Sequence, residues 1–295
     1  MSPQANHKNL YEPIPADEIK FREYKLLLDA DKFHKPASFH KFWKIAHHTA
    51  KTLGAHLSKM EQEEAPTPQI REVVFFDTPH FKLYNAGFIL RKRTFFKHGL
   101  PESNHELVLK FRHPNQTTAA SVDVRPLLPC LYTIKFKEEI LLPKDDSVGM
   151  RLVYSHNCEL DTPNILLTQK VELISNAFPA LGTIGANPKA TMAPVHGASI
   201  AEYLFELGVL DFGGHLSAKC NLAVWRVRDS DQPLVAEFAF QLKFDRPAAM
   251  HKRPRELSEQ FYLGLQQRCS DWIERGTTKT ALVYGLGNAA VKHRE

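Results

Sequence analysis

The chain has 295 residues, 43% of them hydrophobic and 24% charged, which is the composition of an ordinary globular protein. Its 38 Lys and Arg against 33 Asp and Glu give a net charge of +5, which permits an anionic partner without requiring one. No apolar run approaches the roughly 18 residues of a membrane span, and the N-terminal residues lack a signal-peptide core, so no membrane partner is predicted. The four cysteines are widely spaced, which favours free thiols and a cytoplasmic location. They are Cys130, Cys158, Cys220 and Cys269.

The first elements of the chain are a strand and a helix. Residues 21–28 are predicted to form a strand with Glu23 and Lys25 on one face. Residues 38–60 carry apolar side chains at spacings of three and four, which predicts a helix with Ser38 as its N-cap.

A hairpin follows, and it carries two arginines on one face. Residues 73–76 and 88–93 are rich in strand-forming residues, and Asp77-Thr78-Pro79 between them is a turn sequence. In the second strand Arg91 and Arg93 share a face while Lys92 lies on the other, so the two arginines are about 6.6 Å apart along the strand. This spacing suits contacts with neighbouring phosphates or carboxylates. A solvated sheet face is the alternative interpretation of one such pair taken alone.

The same one-sided pairing of charges recurs along the chain, which favours a common basic surface. It is found at Lys110 and Arg112, at Asp123 and Arg125, and at Lys135 and Lys137, each alternating with apolar residues. Lys219 lies in a predicted strand over 217–228, and Glu237 and Ala239 share the polar face of a strand over 234–244. A sheet with one apolar and one basic face can cover the apolar face with helices and curl the basic face into a lumen.

The central motif also resembles a known family. The run Phe-Phe-Asp-Thr-Pro from Phe75, Gly87, Leu-Arg-Lys-Arg from Leu90 and Leu-Val-Leu-Lys from Leu107 are similar to the CYTH superfamily of triphosphate tunnel metalloenzymes. The resemblance implies an α+β fold in which an antiparallel, eight-stranded β-tunnel has a basic lumen and helices packed outside. It also implies that Arg and Lys hold a triphosphate and that Glu residues hold Mg²⁺ or Mn²⁺.

The resemblance assigns expected roles to individual residues. The catalytic residues would be Lys25, Arg91, Arg93 and Lys110; further substrate contacts would come from Arg112, Arg125, Lys219 and Lys279; and the metal ligands would be Glu23, Glu237 and Asp123. Phe21 and Ala239 stand where the family's two metal-binding motifs each have a further carboxylate. These two departures weaken the expectation of a metal ion.

The expected organisation is a loose arm over residues 1–17 and a single CYTH-like domain over residues 18–295. Residues 143–198 are least like the family and are interpreted as a divergent elaboration. A helix is expected from Thr162, as N-cap, to about residue 181, and a second short helix over 199–207.

Two functions remain open. The first is metal-dependent hydrolysis of inorganic, nucleoside or thiamine triphosphate, and nothing in the sequence separates it from adenylate cyclisation, which occurs in the same family. The second is a non-catalytic module on the same scaffold that binds polyphosphate or an organic phosphate, which would explain both missing carboxylates. Nucleic-acid binding is disfavoured because no stacking-platform motif is present.

Overall fold

The computed structural model describes residues 17–58, 67–213, 216–228, 232–245 and 252–286. The predicted arm therefore lies outside the described residues except for Asp17. The strands are β1 (Ile19–Leu28), β2 (His56–Leu57), β3 (Gln69–Asp77), β4 (Phe88–Lys97), β5 (Leu100–His113), β6 (Tyr132–Leu141), β7 (Arg151–Asp161), β8 (Ala193–Pro194), β9 (Ile200–Asp211), β10 (Ser217–Val227) and β11 (Gln232–Lys243). The α-helices are α1 (Pro36–Thr52), α2 (Lys82–Asn85), α3 (Gln116–Ala120), α4 (Val171–Ala177), α5 (Lys252–Arg268) and α6 (Lys279–Tyr284).

Nine of these strands close into a barrel within the described part of the chain. Their order is β9, β10, β11, β1, β6, β7, β5, β4 and β3, and β3 pairs back onto β9. Neighbouring strands are antiparallel except β1 and β6, which run parallel. The expected α+β tunnel with helices outside is confirmed. The expectation of eight antiparallel strands is wrong, because β9 adds a ninth strand and β1 lies beside the parallel β6.

β9 is also the clearest error of secondary-structure prediction. The sequence predicts a helix over residues 199–207, yet residues 200–211 form a strand that pairs with β10 on one side and β3 on the other. Ala, Glu and Leu are good helix formers, so the local preference is overridden by the pairing that closes the barrel.

Other boundaries differ from the prediction for local reasons. α1 begins at Pro36 rather than after Ser38, and it ends at Thr52. Proline suits the first turn of a helix because the backbone N–H that it lacks would have no partner there. Thr162 has a positive φ of 43°, which is incompatible with a helix start, so the helix after β7 begins at Val171. Residues 122–127 form no strand. Their sequence alternates, but no neighbouring strand pairs with them.

The apolar side chains lie on the outside of the barrel, beneath the helices. One cluster joins α1 and α5 to the outer faces of β1 and β11, through residues such as Phe42, Phe238 and Tyr262. A second cluster places α4 against β5 and β7, where Leu109 and Ile174 are buried. Because side chains alternate along a strand, the opposite polar faces point into the lumen. No helix among the described residues has both the length and the apolar character needed to cross a membrane.

The turn after β3 anchors the C-terminal helix. The Asp77 carboxylate accepts hydrogen bonds from the backbone N–H groups of Thr78, Leu83 and Tyr84 and from the hydroxyl of Tyr284. The rings of Tyr84 and Tyr284 stack with centroids 4.1 Å apart. These contacts fix α6, whose preceding residues line one end of the lumen.

Gly87 is required at the start of β4. Its φ is +83°, a conformation that L side chains rarely adopt, and a Cβ atom there would lie 2.9 Å from the carbonyl oxygen of Arg112. The backbone N–H of Arg112 donates to the Gly87 carbonyl at 2.9 Å. This close approach sets the register between β4 and β5.

Candidate functional site

The barrel lumen contains a cavity of about 280 Å³ that is lined by all nine barrel strands and by residues 277–280. Its charged lining comprises eight bases and five acids, an excess of three positive charges. The bases are Lys25, Arg71, Arg91, Arg93, Lys110, Arg112, Lys137 and Lys279, and the acids are Glu23, Glu139, Glu159, Glu202 and Glu237.

One group of these charges surrounds Glu139 and is called the Glu139 cluster. The Oε1 atom of this buried carboxylate is 3.0 Å from Lys25 Nζ and also contacts Lys110 Nζ, and Oε2 is 3.0 Å from Arg112 NH2. The Ser155 hydroxyl donates to Oε1 at 2.9 Å. Burial alone would raise the pKa of Glu139, but the three bases outweigh it and hold the pKa well below its usual range. Glu139 is therefore a fixed anion.

Glu23 and Lys137 complete the Glu139 cluster. Glu23 lies directly opposite Glu139 across the parallel β1–β6 pair. Its Oε2 atom is 3.2 Å from Lys25 Nζ and 3.5 Å from Lys137 Nζ. Burial raises the pKa of Glu23, but the charges of Lys137 and Lys25 lower it by more, so the pKa is about 2. The cluster thus holds four bases and two ionised acids.

A second group surrounds Glu202 on β9. The Glu202 Oε2 atom is 2.7 Å from Arg71 NH2 and 3.8 Å from Arg93 Nε, and Oε1 is 3.8 Å from Lys279 Nζ. Trp225 donates its indole N–H to Oε1 at 2.9 Å. Glu202 therefore faces three bases and one neutral donor.

Two further acids extend this group, which is called the Glu202 cluster. Lys279 Nζ is 2.8 Å from Oε1 of Glu237 and 4.6 Å from the centroid of the Trp225 ring. Arg93 NH1 is 2.5 Å from Oε1 of Glu106. Lys279 and Arg93 are thus each held by two carboxylates.

Arg91 differs from the other arginines of the lumen. Its Nε, like those of Arg71 and Arg93, is buried without an acceptor, but within the described residues Arg91 alone of these three makes no hydrogen bond or contact ion pair. Burial and the adjacent charge of Arg93 lower the pKa of Arg91 to about 10. A guanidinium that is partly withdrawn from water, as here, is costly unless it is paired. Its five donors in a planar fork suit a carboxylate or phosphate, so Arg91 can bind an anionic ligand at this point.

The structure brings together eight of the eleven residues expected to form the site. They are Glu23, Lys25, Arg91, Arg93, Lys110, Arg112, Glu237 and Lys279, and all of them line the cavity. Lys219 is exposed and does not line it. Arg125 and Asp123 also lie elsewhere.

Arg125 forms a separate polar contact outside the lumen. Its NH2 is 2.7 Å from both carboxylate oxygens of Asp17, and its NH1 is 2.8 Å from Asp123. The Nε2 atom of the buried His156 is 2.9 Å from Asp17 Oδ2. Because residues 122–127 are not part of the sheet, the alternation of Asp123 and Arg125 places neither side chain in the cavity.

The acids present do not fit a resident divalent cation. The β1–β11 register places Glu237 opposite Leu27, four residues from Glu23, which separates the two expected ligands by about 13 Å along the strand. Each is already engaged by lysine. Among the described residues no three His, Cys, Asp or Glu side chains group to hold a metal ion.

No protein-family model and no curated protein matches the chain. Solved structures similar to it include a Hippeastrum protein described as a candidate adenylyl cyclase with a dominant triphosphatase activity, at 16% identity over 93% of this chain and 100% of that chain, with a TM-score of 0.38. Candidate adenylate cyclases from Bacillus halodurans and Vibrio parahaemolyticus share 11% and 12% identity over 89% and 90% of this chain. The similarity extends over 95% and 99% of those two chains, with TM-scores of 0.37 and 0.35.

Structural similarities at this level support no conclusion about activity. The barrel itself is the more direct observation, since it is closed, has helices on its outer face and carries an excess of bases in its lumen. The chain therefore has the closed barrel, with a basic lumen and helices outside, that its resemblance to the CYTH superfamily implies.

Proposed function

We propose that the protein binds a triphosphate-containing anion in the barrel lumen. The observation that carries the proposal is Arg91, a guanidinium that faces the cavity with no acid in contact among the described residues. The surrounding excess of three positive charges makes the whole cavity attractive to anions.

The distribution of bases favours a linear anion with several charges. Arg91 and Arg93 lie on β4, Lys110 and Arg112 on the neighbouring β5, and Lys137 on β6. A chain of phosphates could contact the bases of these three strands in turn. Arginine offers bidentate contacts and lysine a mobile point charge, which suits the non-bridging oxygens of a polyphosphate.

Hydrolysis of the bound triphosphate is a second candidate function. Glu23 and Glu139 are adjacent ionised carboxylates in the same cavity, and such a carboxylate can orient a water by accepting a hydrogen bond from it. We propose that Mg²⁺ or Mn²⁺ enters with the anion, because phosphate oxygens can supply ligands that the lysine-bound acids do not. The alternative is a binding module without catalysis.

Calorimetry with inorganic tripolyphosphate, with and without Mg²⁺, tests the binding proposal. Saturable 1:1 binding that weakens with salt is expected, and no heat from the folded protein would overturn the proposal. Orthophosphate release in the same samples separates hydrolysis from a pure binding module. ATP, thiamine triphosphate and tripolyphosphate, compared under one condition, define the substrate class, and cyclic AMP from ATP would reveal cyclisation.

A further inference from the structure

We infer that Glu202 is a specificity-determining residue that limits the number of phosphate groups in the lumen, because it occupies bases that an additional phosphate would need. The inference rests on the proposed function and deepens it. It assigns to a residue on β9 a role in the length of anion that is bound.

The surroundings of Glu202 have the chemistry of a phosphate site. The carboxylate is nearly inaccessible, with 2% of the side chain exposed, and it contacts a guanidinium at 2.7 Å and an indole N–H at 2.9 Å. Arg93 and Lys279 each lie 3.8 Å away. Guanidinium, ammonium and N–H donors around one buried anion are the groups that bind phosphate oxygens in proteins.

Glu202 remains charged under all ordinary conditions. Burial raises its pKa, but Arg71, Arg93 and Lys279 outweigh this effect, so the pKa lies well below its usual range. A phosphate brought to these bases would have to displace the carboxylate or lie beside it. Either arrangement is unfavourable, because two anions would share one set of donors at low dielectric.

The two charge clusters therefore differ in how many bases remain available to a ligand. In the Glu139 cluster four bases face two acids. In the Glu202 cluster the acids Glu106, Glu202 and Glu237 contact Arg71, Arg93 and Lys279, and only Arg91 has no acid in contact among the described residues. The bound anion is thus expected to extend from Arg91 towards the Glu139 cluster and to stop short of Glu202.

The test compares pyrophosphate, tripolyphosphate and tetrapolyphosphate by calorimetry in the wild type and in Glu202→Gln. Glutamine keeps the size and the acceptor for Trp225 but removes the charge that holds Arg71, Arg93 and Lys279. The preference for the longest over the shortest anion should rise by about tenfold or more, the effect of one additional charge-assisted contact. Glu206→Gln, the same change at an exposed position of β9, is the matched control and should leave the preference unchanged.

A second variant guards against misfolding. Arg71→Gln combined with Glu202→Gln keeps the net charge of the lumen. Because both partners of the Arg71–Glu202 ion pair are replaced, neither is left charged without the other. The double variant still frees Arg93 and Lys279 from Glu202, so a smaller rise in preference, of about threefold, is expected.

The outcomes separate the two proposals. If the wild type binds none of the three anions, the proposed function fails and this inference fails with it. If the wild type binds and neither folded variant changes the length preference, the inference about Glu202 is overturned while the proposed function stands. An equal rise in the Glu206→Gln control would attribute the effect to overall charge and also overturn the role of Glu202.

Discussion

The hydroxyl of Tyr284 donates a hydrogen bond of 3.0 Å to Oδ2 of Asp77, across 207 residues of sequence. Three backbone N–H groups donate to the same carboxylate, at 2.6 to 3.0 Å. One buried side chain therefore fixes both the turn after β3 and the helix that begins at Lys279. Lys279 in turn contacts Glu237 in the lumen.

Removal of the Asp77 carboxylate is expected to destabilise the protein strongly. Asp77→Ala leaves three backbone donors and one hydroxyl without an acceptor, and should lower the free energy of unfolding by about 2–4 kcal/mol. Tyr284→Phe removes one hydrogen bond and should cost about 1 kcal/mol. Urea denaturation measures both, with the exposed Asp146→Ala as control. Equal losses for Asp77→Ala and Asp146→Ala would show that the carboxylate does not anchor these elements.

Arg91→Ala is expected to weaken tripolyphosphate binding by about 1.5–3 kcal/mol, the contribution of charge-assisted hydrogen bonds. Folding stability should not fall, because no acid loses its partner. Lys92→Ala on the outer face should have little effect on binding. Calorimetry on the two variants measures the difference, and similar losses at both positions would exclude Arg91 as an anion contact.

Arg93→Ala should behave differently from Arg91→Ala, although the two residues share a strand face. Arg93 is within ion-pair distance of Glu106 and Glu202. Its removal leaves buried acids with fewer partners and should lower the free energy of unfolding by about 2–4 kcal/mol. A thermal melt distinguishes the variants, and a higher melting temperature in Arg93→Ala than in Arg91→Ala would contradict the assigned pairing.

A cation site is expected to require either the anion or an added carboxylate. Ala239 lies opposite Lys25 and is diagonal to Glu23, which itself faces Glu139. Ala239→Glu would add a third carboxylate beside these two and should tighten Mn²⁺ binding in the absence of phosphate by tenfold or more, roughly 1.4 kcal/mol. In the wild type, Mn²⁺ and tripolyphosphate should each increase the affinity for the other.

Calorimetric titration of Mn²⁺ measures these effects. Phe21→Glu is the comparison variant, because Phe21 is four residues from Lys25 and thus about 13 Å along β1 from the Ala239 position. Its Mn²⁺ affinity should rise less. Tight Mn²⁺ binding by the wild type without an anion, lost in Glu23→Gln and in Glu237→Gln, would show instead that a full cation site already exists.

Stability should fall in acid through the lumen carboxylates. The pKa of Glu23 is about 2 in the folded protein against an ordinary value of 4.5. Between these values the unfolded chain binds more protons, so the stabilisation is complete above about pH 5 and is lost as the pH falls towards 2. Glu23 alone should contribute about 3 kcal/mol. Urea denaturation from pH 2 to 7 should give a shallower pH dependence in Glu23→Gln, and an identical slope would refute the assignment.

The lumen face could be predicted wherever a strand could be recognised. The alternation around Arg91, Lys110 and Glu237 identified the side chains that share the cavity, because a period of two has only one structural meaning in a barrel. The same argument extends to Glu139, which lies on the face of Lys137. As an acid on a face of bases, Glu139 carries no sequence sign of a phosphate contact.

Other parts of the site had no local signal. Glu202 lies in a segment with good helix formers, so its lumen-facing position follows only from pairing with β3 and β10. Arg71 precedes the most strongly β-forming part of its strand. Asp123 and Arg125 show the opposite failure, since their alternation is as regular as that of Lys110 but no strand pairs with them. Tertiary pairing decided these positions.

The parallel pairing of β1 with β6 also constrains how the chain can fold. The two neighbours of β1 begin at Tyr132 and Gln232, more than 100 and more than 200 residues after β1 ends at Leu28. During synthesis β1 would thus leave the ribosome long before either partner. Both of its edges would remain unpaired until β6 is made, and one edge until β11 is made. Such a high contact order slows folding and prolongs the exposure of an aggregation-prone strand. Glu23 and Lys25, polar residues needed in the lumen, would also keep that waiting strand soluble.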